Sequence, residues 1–145
     1  MPTLRVAACQ IDPQLGEVEV NLARIARAVA EAAAAGAVLA VLPEAAVTGY
    51  AFGSLDEALP VTRRAGAVAF KAIAGLAETH RLTVICGTLE AQGDEVFNAA
   101  LIATPDGTRY TYPRCTSPSW ESTASPPPGP MRRAWWRWAA CASAY

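Results

Sequence analysis

A glutamate at the end of an apolar segment is the residue of this sequence whose setting most suggests chemistry. Glu44 follows Pro43 and the apolar run at residues 38–42 (VLAVL), which has the length of a buried central strand. In α/β sheets, the end of such a strand is where ligands and catalytic side chains gather. A carboxylate at this point can act as a general base. An isolated Pro-Glu pair would more simply be a solvated group at a strand end, so the flanking residues decide between the two interpretations.

The four cysteines are the candidate nucleophiles, because a thiolate attacks carbon well once a base has removed its proton. Cys9 and Cys86 lie inside apolar, strand-like segments, where a cysteine behaves as a small hydrophobic residue. Cys115 and Cys141 lack the strand-to-turn setting that would hold a thiolate against Glu44. No two cysteines have CxxC spacing, so neither a zinc site nor a redox motif is predicted.

The overall composition narrows the possible partners. The 145 residues fit one domain, and 52% of them are hydrophobic, which is enough for a buried core. The formal net charge of −1 predicts no binding to nucleic acid or to a membrane surface, because such proteins normally present a basic face. No apolar run has the length of a membrane span and residues 1–5 lack the pattern of a signal peptide, so we expect a cytoplasmic protein.

The elements that would position these residues alternate along the chain. Strands are predicted at 4–10, 38–42, 83–89, 96–103 and 109–112, and helices at 18–35 and 64–80, with a further short helix that Ser54 would cap. The second long helix should direct Val68, Ile73 and Leu76 inward. The order β-α-β-α-β-β-β predicts an α/β fold in which helices pack on a sheet. A nucleotide-binding version of this fold is disfavoured, because no glycine-rich loop follows the first strand.

The chain changes character after Tyr112. All four tryptophans and six of the eleven prolines lie in residues 113–145. The run 126–130 (PPPGP) excludes a helix or a central strand there. The basic-aromatic run 132–138 (RRAWWRW) could be read as a contact for nucleic acid or for a membrane interface. We interpret residues 113–145 instead as a disordered, unselected tail that is separate from the folded part at residues 1–112.

Several short motifs in residues 3–112 resemble the nitrilase superfamily of carbon–nitrogen hydrolases in both order and spacing. They are residues 6–10 (VAACQ), 16–21 (GEVEVN), 42–50 (LPEAAVTGY), 87–90 (GTLE) and 97–102 (FNAALI). The resemblance implies the N-terminal half of a nitrilase-like four-layer α-β-β-α sandwich, and a homo-oligomer when the fold is complete. It implies no metal or organic cofactor.

The family's chemistry uses a glutamate, a lysine and a cysteine on small amides, carbamoyl compounds or nitriles. By this resemblance Glu44 is the catalytic general base, and Tyr50 either lines the substrate pocket or packs in the core. The lysine would stabilise the charge that develops in the transition state. The cysteine thiolate would form a thioester with the substrate, which water then hydrolyses.

The lysine and cysteine motifs of the family are missing from this sequence. Arg114 stands where the lysine is expected, and its planar, permanently charged guanidinium is not an equivalent group. A shifted reading frame from Pro113 onward takes the third base of each codon with the first two bases of the next. With permitted synonymous codons, this frame can encode K(M/V)HLPFLGVDRFTTPG, which resembles the family's lysine motif. We therefore hypothesise a reading frame that shifts near Tyr112 and a truncated chain that is inactive as a hydrolase. The alternative is a non-catalytic α/β binding or interaction module.

Overall fold

The computed structural model describes residues 3–114, the last two by their backbone alone, as a five-stranded sheet with two helices. In chain order the elements are β1 (Val6–Ala8), α1 (Val18–Ala34), β2 (Leu39–Val41), α2 (Leu55–His80), β3 (Thr83–Gln92), β4 (Glu95–Ala103) and β5 (Arg109–Arg114). The strands lie side by side in chain order. Strands β1, β2 and β3 are parallel, whereas β3, β4 and β5 are antiparallel. The α/β class and the element order predicted from the sequence are confirmed.

Helix α1 forms because apolar residues recur every three or four positions along one face. Val18, Ile25 and Val29 on this face are fully buried. Asn21 lies on the same face and is buried as completely, although it is polar. Gly36 follows the helix with a φ of 77°, a left-handed conformation in which glycine avoids the steric cost of a side chain.

Helix α2 is one continuous helix, where the sequence predicts a short helix followed by a longer one. Its N-terminus is capped, because the Glu57 amide donates to Ser54 Oγ (3.3 Å) and the Glu57 carboxylate accepts from the Gly53 amide (2.9 Å). Pro60 lies inside the helix. Its missing N–H removes one hydrogen bond near the N-terminus, and the helix continues beyond it.

The buried face of α2 consists mainly of small residues. They are Ala58, Thr62, Ala65, Ala69, Ile73, Ala74 and Ala77. Val68 was predicted to point inward but is 40% exposed, because the alanine face is the one that packs against the rest of the protein. Ile73 is buried and Leu76 is partly buried, as predicted. Among residues 3–114, no helix has the length and apolar character needed to cross a membrane.

One side of the sheet, called here the covered face, packs against both helices. Its residues share one buried cluster with Ile25 of α1 and Ile73 of α2. The covered face comprises Ala40, Val84, Cys86, Leu101 and Ala103. Apolar surface removed from water here supplies the main stabilisation of the fold.

The other side of the sheet, called here the open face, carries a row of apolar residues in register across all five strands. The row is Ala8, Val41, Ile85, Ile102 and Tyr110. Val41 and Tyr110 are 36% and 58% exposed. Within residues 3–114 the structure is therefore one helical layer on one sheet layer, as expected for half of a four-layer α-β-β-α sandwich.

Candidate functional site

Glu44 lies just beyond the carboxyl end of β2, which is flanked by the parallel strands β1 and β3. The Glu44 side chain is exposed, whereas residues 45–48 of the same turn are buried. Ala45 has a φ of 48°, a left-handed conformation that residues with a side chain adopt rarely. Such a conformation persists only where the surroundings hold the backbone in place. The turn therefore presents Glu44 from a firmly held backbone.

Gly87 on β3 allows the Glu44 turn to lie directly against the sheet. A Cβ atom at Gly87 would come within 2.5 Å of the Pro43 oxygen, 2.6 Å of Glu44 Cα and 2.7 Å of the Ala45 nitrogen. Two backbone hydrogen bonds join the turn to this residue, from the Gly87 amide to the Pro43 oxygen (3.2 Å) and from the Val47 amide to the Gly87 oxygen (3.3 Å). The glycine of the GTLE motif is thus required by the close approach of two backbones.

Asn98 contacts the Glu44 side chain. Its Nδ2 amide donates a hydrogen bond to Glu44 Oε1. Asn98 lies on β4, is 5% exposed and pairs with Leu89 of β3. The sequence motif FNAALI includes this asparagine, but its contact with Glu44 was not predicted. The signal that could have revealed it is a polar residue with two apolar neighbours on a buried strand.

Asn21 anchors the turn from the opposite direction. Its side chain accepts from the Gln14 amide (2.7 Å) and donates to the Gln14 oxygen (2.7 Å) and the Val47 oxygen (3.0 Å). The Gly16 amide also donates to the Thr48 oxygen (2.9 Å). A buried side chain of α1 therefore ties the loop after β1 to the Glu44 turn, a role that the sequence did not predict.

Arg114, which the sequence predicts to stand at the family's lysine position, is the last residue of β5. In the pairing of β4 with β5, the backbone of Arg114 lies opposite Asn98. The chain contains a single lysine, Lys71. It is exposed on α2, the helix that packs on the covered face, whereas Glu44 lies over Gly87 on the other face.

The two described cysteines are not positioned as nucleophiles. Cys86 is buried on the covered face, and burial raises the pKa of its thiol to about 12. Cys9 is half-buried with its sulfur 3.9 Å from the Ala28 oxygen. Burial, and then the negative charge of Glu31, raise the pKa of the Cys9 thiol as well. Both thiols therefore stay protonated at neutral pH. Cys115 and Cys141 lie outside the described residues.

Tyr50 is 45% exposed at the end of the Glu44 turn. This exposure favours the pocket interpretation over core packing, and its role in binding substrate stays a prediction. In the part of the chain that the structure describes, no group of three or more His, Cys, Asp or Glu side chains could hold a metal ion.

The sequence matches the family model for carbon-nitrogen hydrolase over residues 5–143. The match runs past residue 112, where the sequence suggests the start of a separate tail, so that boundary stays a prediction. A nitrilase from Pyrococcus abyssi is 30% identical over 107 residues, which are 72% of this chain and 40% of the relative. An aliphatic nitrilase from Sinorhizobium fredii is 32% identical over 123 residues, which are 74% of this chain and 40% of the relative.

Solved structures share the fold. The NitN amidase from Neterenkonia sp. AN1 aligns with a TM-score of 0.72 and 21% identity, over 88% of this chain and 51% of that one. An N-terminal amidase aligns with a TM-score of 0.66 and 25% identity, over 82% of this chain and 29% of that one. The chain thus spans well under two thirds of the length of these relatives.

Proposed function

Because this chain belongs to the carbon-nitrogen hydrolase family, we propose that Glu44 is the general base of a site for hydrolysing a non-peptide C–N bond by a Glu-Lys-Cys mechanism. The names of the nitrilase and amidase relatives favour nitriles or amides as substrates, and the family resemblance of the sequence adds carbamoyl compounds. The observation that carries the proposal is the setting of Glu44. It is an exposed carboxylate on a buried turn at the carboxyl end of a parallel strand, and Asn98 hydrogen-bonds to it.

The proposed reaction on an amide has two halves. Glu44 takes the proton of a cysteine thiol, and the thiolate forms a bond to the amide carbon. The C–N bond then breaks and the amine leaves with that proton. Water attacks the resulting thioester, Glu44 takes a proton from the water and passes it to the departing thiolate, and the carboxylic acid is released. The lysine stabilises the negative charge that develops on the substrate.

We also propose that the chain in its present form does not complete this reaction. Its single lysine, Lys71, is exposed on α2, on the covered side of the sheet. Cys86 belongs to the covered face as well, and Cys9 is half-buried with a raised thiol pKa. Glu44 therefore has neither a lysine nor an activated thiol beside it among residues 3–114.

A shift in the reading frame would explain this combination. In the alternative frame several letters are forced by the genetic code. Trp120-Glu121 must yield Gly, Trp135-Trp136 Val, Trp138-Ala139 Gly, and Cys115-Thr116 His or Tyr. The permitted string resembles the family's lysine motif, and the same frame, read on through the tail, can end in VEVGGVRVGV. Sequencing the gene tests this: an intact frame with no family-like continuation in the alternative frame would exclude the shift.

Assays of two proteins test the chemistry. With a panel of amides, carbamoyl compounds and nitriles, we expect no turnover by this chain and measurable turnover by a protein expressed from the restored frame. In the restored protein, Glu44→Gln should lower kcat/KM by about 10²–10⁴-fold. Glu95→Gln, which changes an exposed carboxylate on β4, should have little effect. Turnover by the present chain that Glu44→Gln abolishes would disprove the proposed inactivity.

The second candidate, a non-catalytic binding or interaction module, is favoured by the exposed apolar row of the open face. A restored protein that binds a partner but hydrolyses none of the panel would favour it. Homo-oligomeric assembly and a cytoplasmic location stay predictions of the sequence.

A further inference from the structure

We propose that Asn98 is a positioning residue for Glu44. The buried side-chain amide of Asn98 holds the Glu44 carboxylate in one orientation at the edge of the sheet. That the held carboxylate is a general base rests on the function proposed for Glu44 above. The contact itself does not depend on it. Asn98 donates from Nδ2 to Glu44 Oε1 and is 5% exposed, so this bond is made from a residue of the protein interior to an exposed side chain.

The two ends of Glu44 are held by two different strands. Its backbone is fixed from β3, through the hydrogen bonds of Gly87 with Pro43 and Val47. Its carboxylate is fixed from β4, through Asn98. In the β3–β4 register Gly87 pairs with Ala100, and Asn98 lies two residues before Ala100 on β4, so it is on the same face of the sheet. Strand pairing therefore determines where the carboxylate is held.

An amide suits this position for chemical reasons. Its N–H donates a charge-assisted hydrogen bond to a carboxylate, which fixes the direction of the oxygen that accepts it. The amide is neutral and does not give up its own proton. It therefore orients Glu44 without forming an ion pair, and a proton that Glu44 accepts stays on Glu44 for transfer to the leaving group.

Asn21 shows what a purely structural asparagine looks like in the same protein. Asn21 and Asn98 are the two asparagines of the chain, and both are buried. The side-chain hydrogen bonds of Asn21 join it to backbone atoms of Gln14 and Val47. Asn98 instead bonds to the carboxylate of a side chain. The two residues should therefore respond differently when carboxyl groups are titrated.

Selective labelling of the full chain with ¹⁵N-asparagine tests this difference, because it yields two side-chain amide groups. We expect the Asn98 amide signals to move as pH is varied through the acidic range in which carboxyl groups titrate. The Asn21 signals should stay fixed. In Glu44→Gln, which keeps an oxygen acceptor but removes the charge, the Asn98 signals should lose this pH dependence and the Asn21 spectrum should be unchanged.

Other carboxyl groups lie on the surrounding elements, namely those of Glu57 on α2, Glu90 on β3 and Glu95 on β4. The comparison with Glu44→Gln isolates the contribution of Glu44, because that variant leaves the other three in place. Asn98 signals that do not move with pH in the wild type, or that move equally in Glu44→Gln, would overturn the proposal.

A second variant guards against a change in folding. Asn98→Asp removes the donor and places a second carboxylate beside Glu44, with almost the same shape. We expect the Asn21 signals, which report the anchor of the turn, to persist in this variant.

A restored protein without turnover whose Asn98 signals still follow Glu44 would contradict the hydrolase and uphold the contact. Turnover together with pH-independent Asn98 signals would uphold the hydrolase and overturn the positioning role.

Discussion

The two faces of the sheet share the same five strands but differ in what the described chain places on them. On the covered face Val84 and Cys86 are fully buried beneath α1 and α2. On the open face Val41 and Tyr110 keep 36% and 58% of their surface exposed. Alternation along each strand sends neighbouring residues to these two different settings.

The candidate site lies on the open face. Glu44 lies over Gly87, and Asn98 reaches it from the same side of β4. The covered face therefore carries most of the stabilising core, whereas the open face carries the side chains that could take part in a reaction. Residues that stabilise the fold and residues that would act on a substrate can be separated by substitutions at adjacent positions.

The largest expected effect comes from truncating adjacent residues of β4 that point to opposite faces. Leu101 is 6% exposed on the covered face, so Leu101→Ala should lower the free energy of unfolding by about 2–5 kcal/mol. Ile102 is half-buried on the open face, and Ile102→Ala should cost only about 1 kcal/mol. Urea unfolding measures both. Equal losses would mean that the open face is covered in solution.

Gly87 tests a place where the open face is packed closely, against the backbone of the Glu44 turn. Gly87→Ala should destabilise the protein by about 1–3 kcal/mol, because the new methyl group overlaps three backbone atoms of the Glu44 turn. Gly66 on α2 has no atom within 4 Å of an added Cβ, so Gly66→Ala should stabilise the helix by about 0.5–1 kcal/mol. Thermal unfolding separates the two signs. A neutral Gly87→Ala would show that the turn can move away from β3.

The covered face should make stability depend on pH through Cys86. Burial raises the pKa of this thiol from 9.0 to about 12, so the unfolded chain loses the proton first as pH rises. The stabilising contribution is complete below pH 9 and falls by about 1.4 kcal/mol for each pH unit above it, until about pH 12. Unfolding measured at several alkaline pH values should show this decline. Cys86→Ala should reduce the slope, and an unchanged slope would contradict the burial of the thiol.

The local features of this fold were predictable because each depends on a short stretch of sequence. Helix α1 follows from the spacing of Val18, Ile25 and Val29, and its predicted range of 18–35 agrees with the observed Val18–Ala34. The strand before Glu44 follows from one continuous apolar run. Its parallel neighbours could be expected because helices connect β1, β2 and β3.

The contacts that build the site were not predictable because they join distant parts of the chain. Asn98 and Glu44 are 54 positions apart, and Asn21 and Val47 are 26 apart. Both asparagines look unfavourable in their own segments, and only the register of the sheet and the packing of α1 bring their partners near. Helix α2 shows the same limit. Its alanine face is buried and Val68 is not, which depends on how closely the helix packs against the rest of the protein.

The smallest effect on stability, and the most direct test of the open face, comes from adding charge to it. Tyr110→Lys should change the free energy of unfolding by no more than about 0.5 kcal/mol, because Tyr110 is already 58% exposed. It should nevertheless reduce self-association in sedimentation velocity, because a charge in the exposed row opposes contact between two such faces. Val68→Lys is the matched control, since Val68 is 40% exposed on α2, away from the open face. If both variants reduce self-association equally, general surface charge is responsible. If only Tyr110→Lys reduces it, copies of the chain associate through the open face.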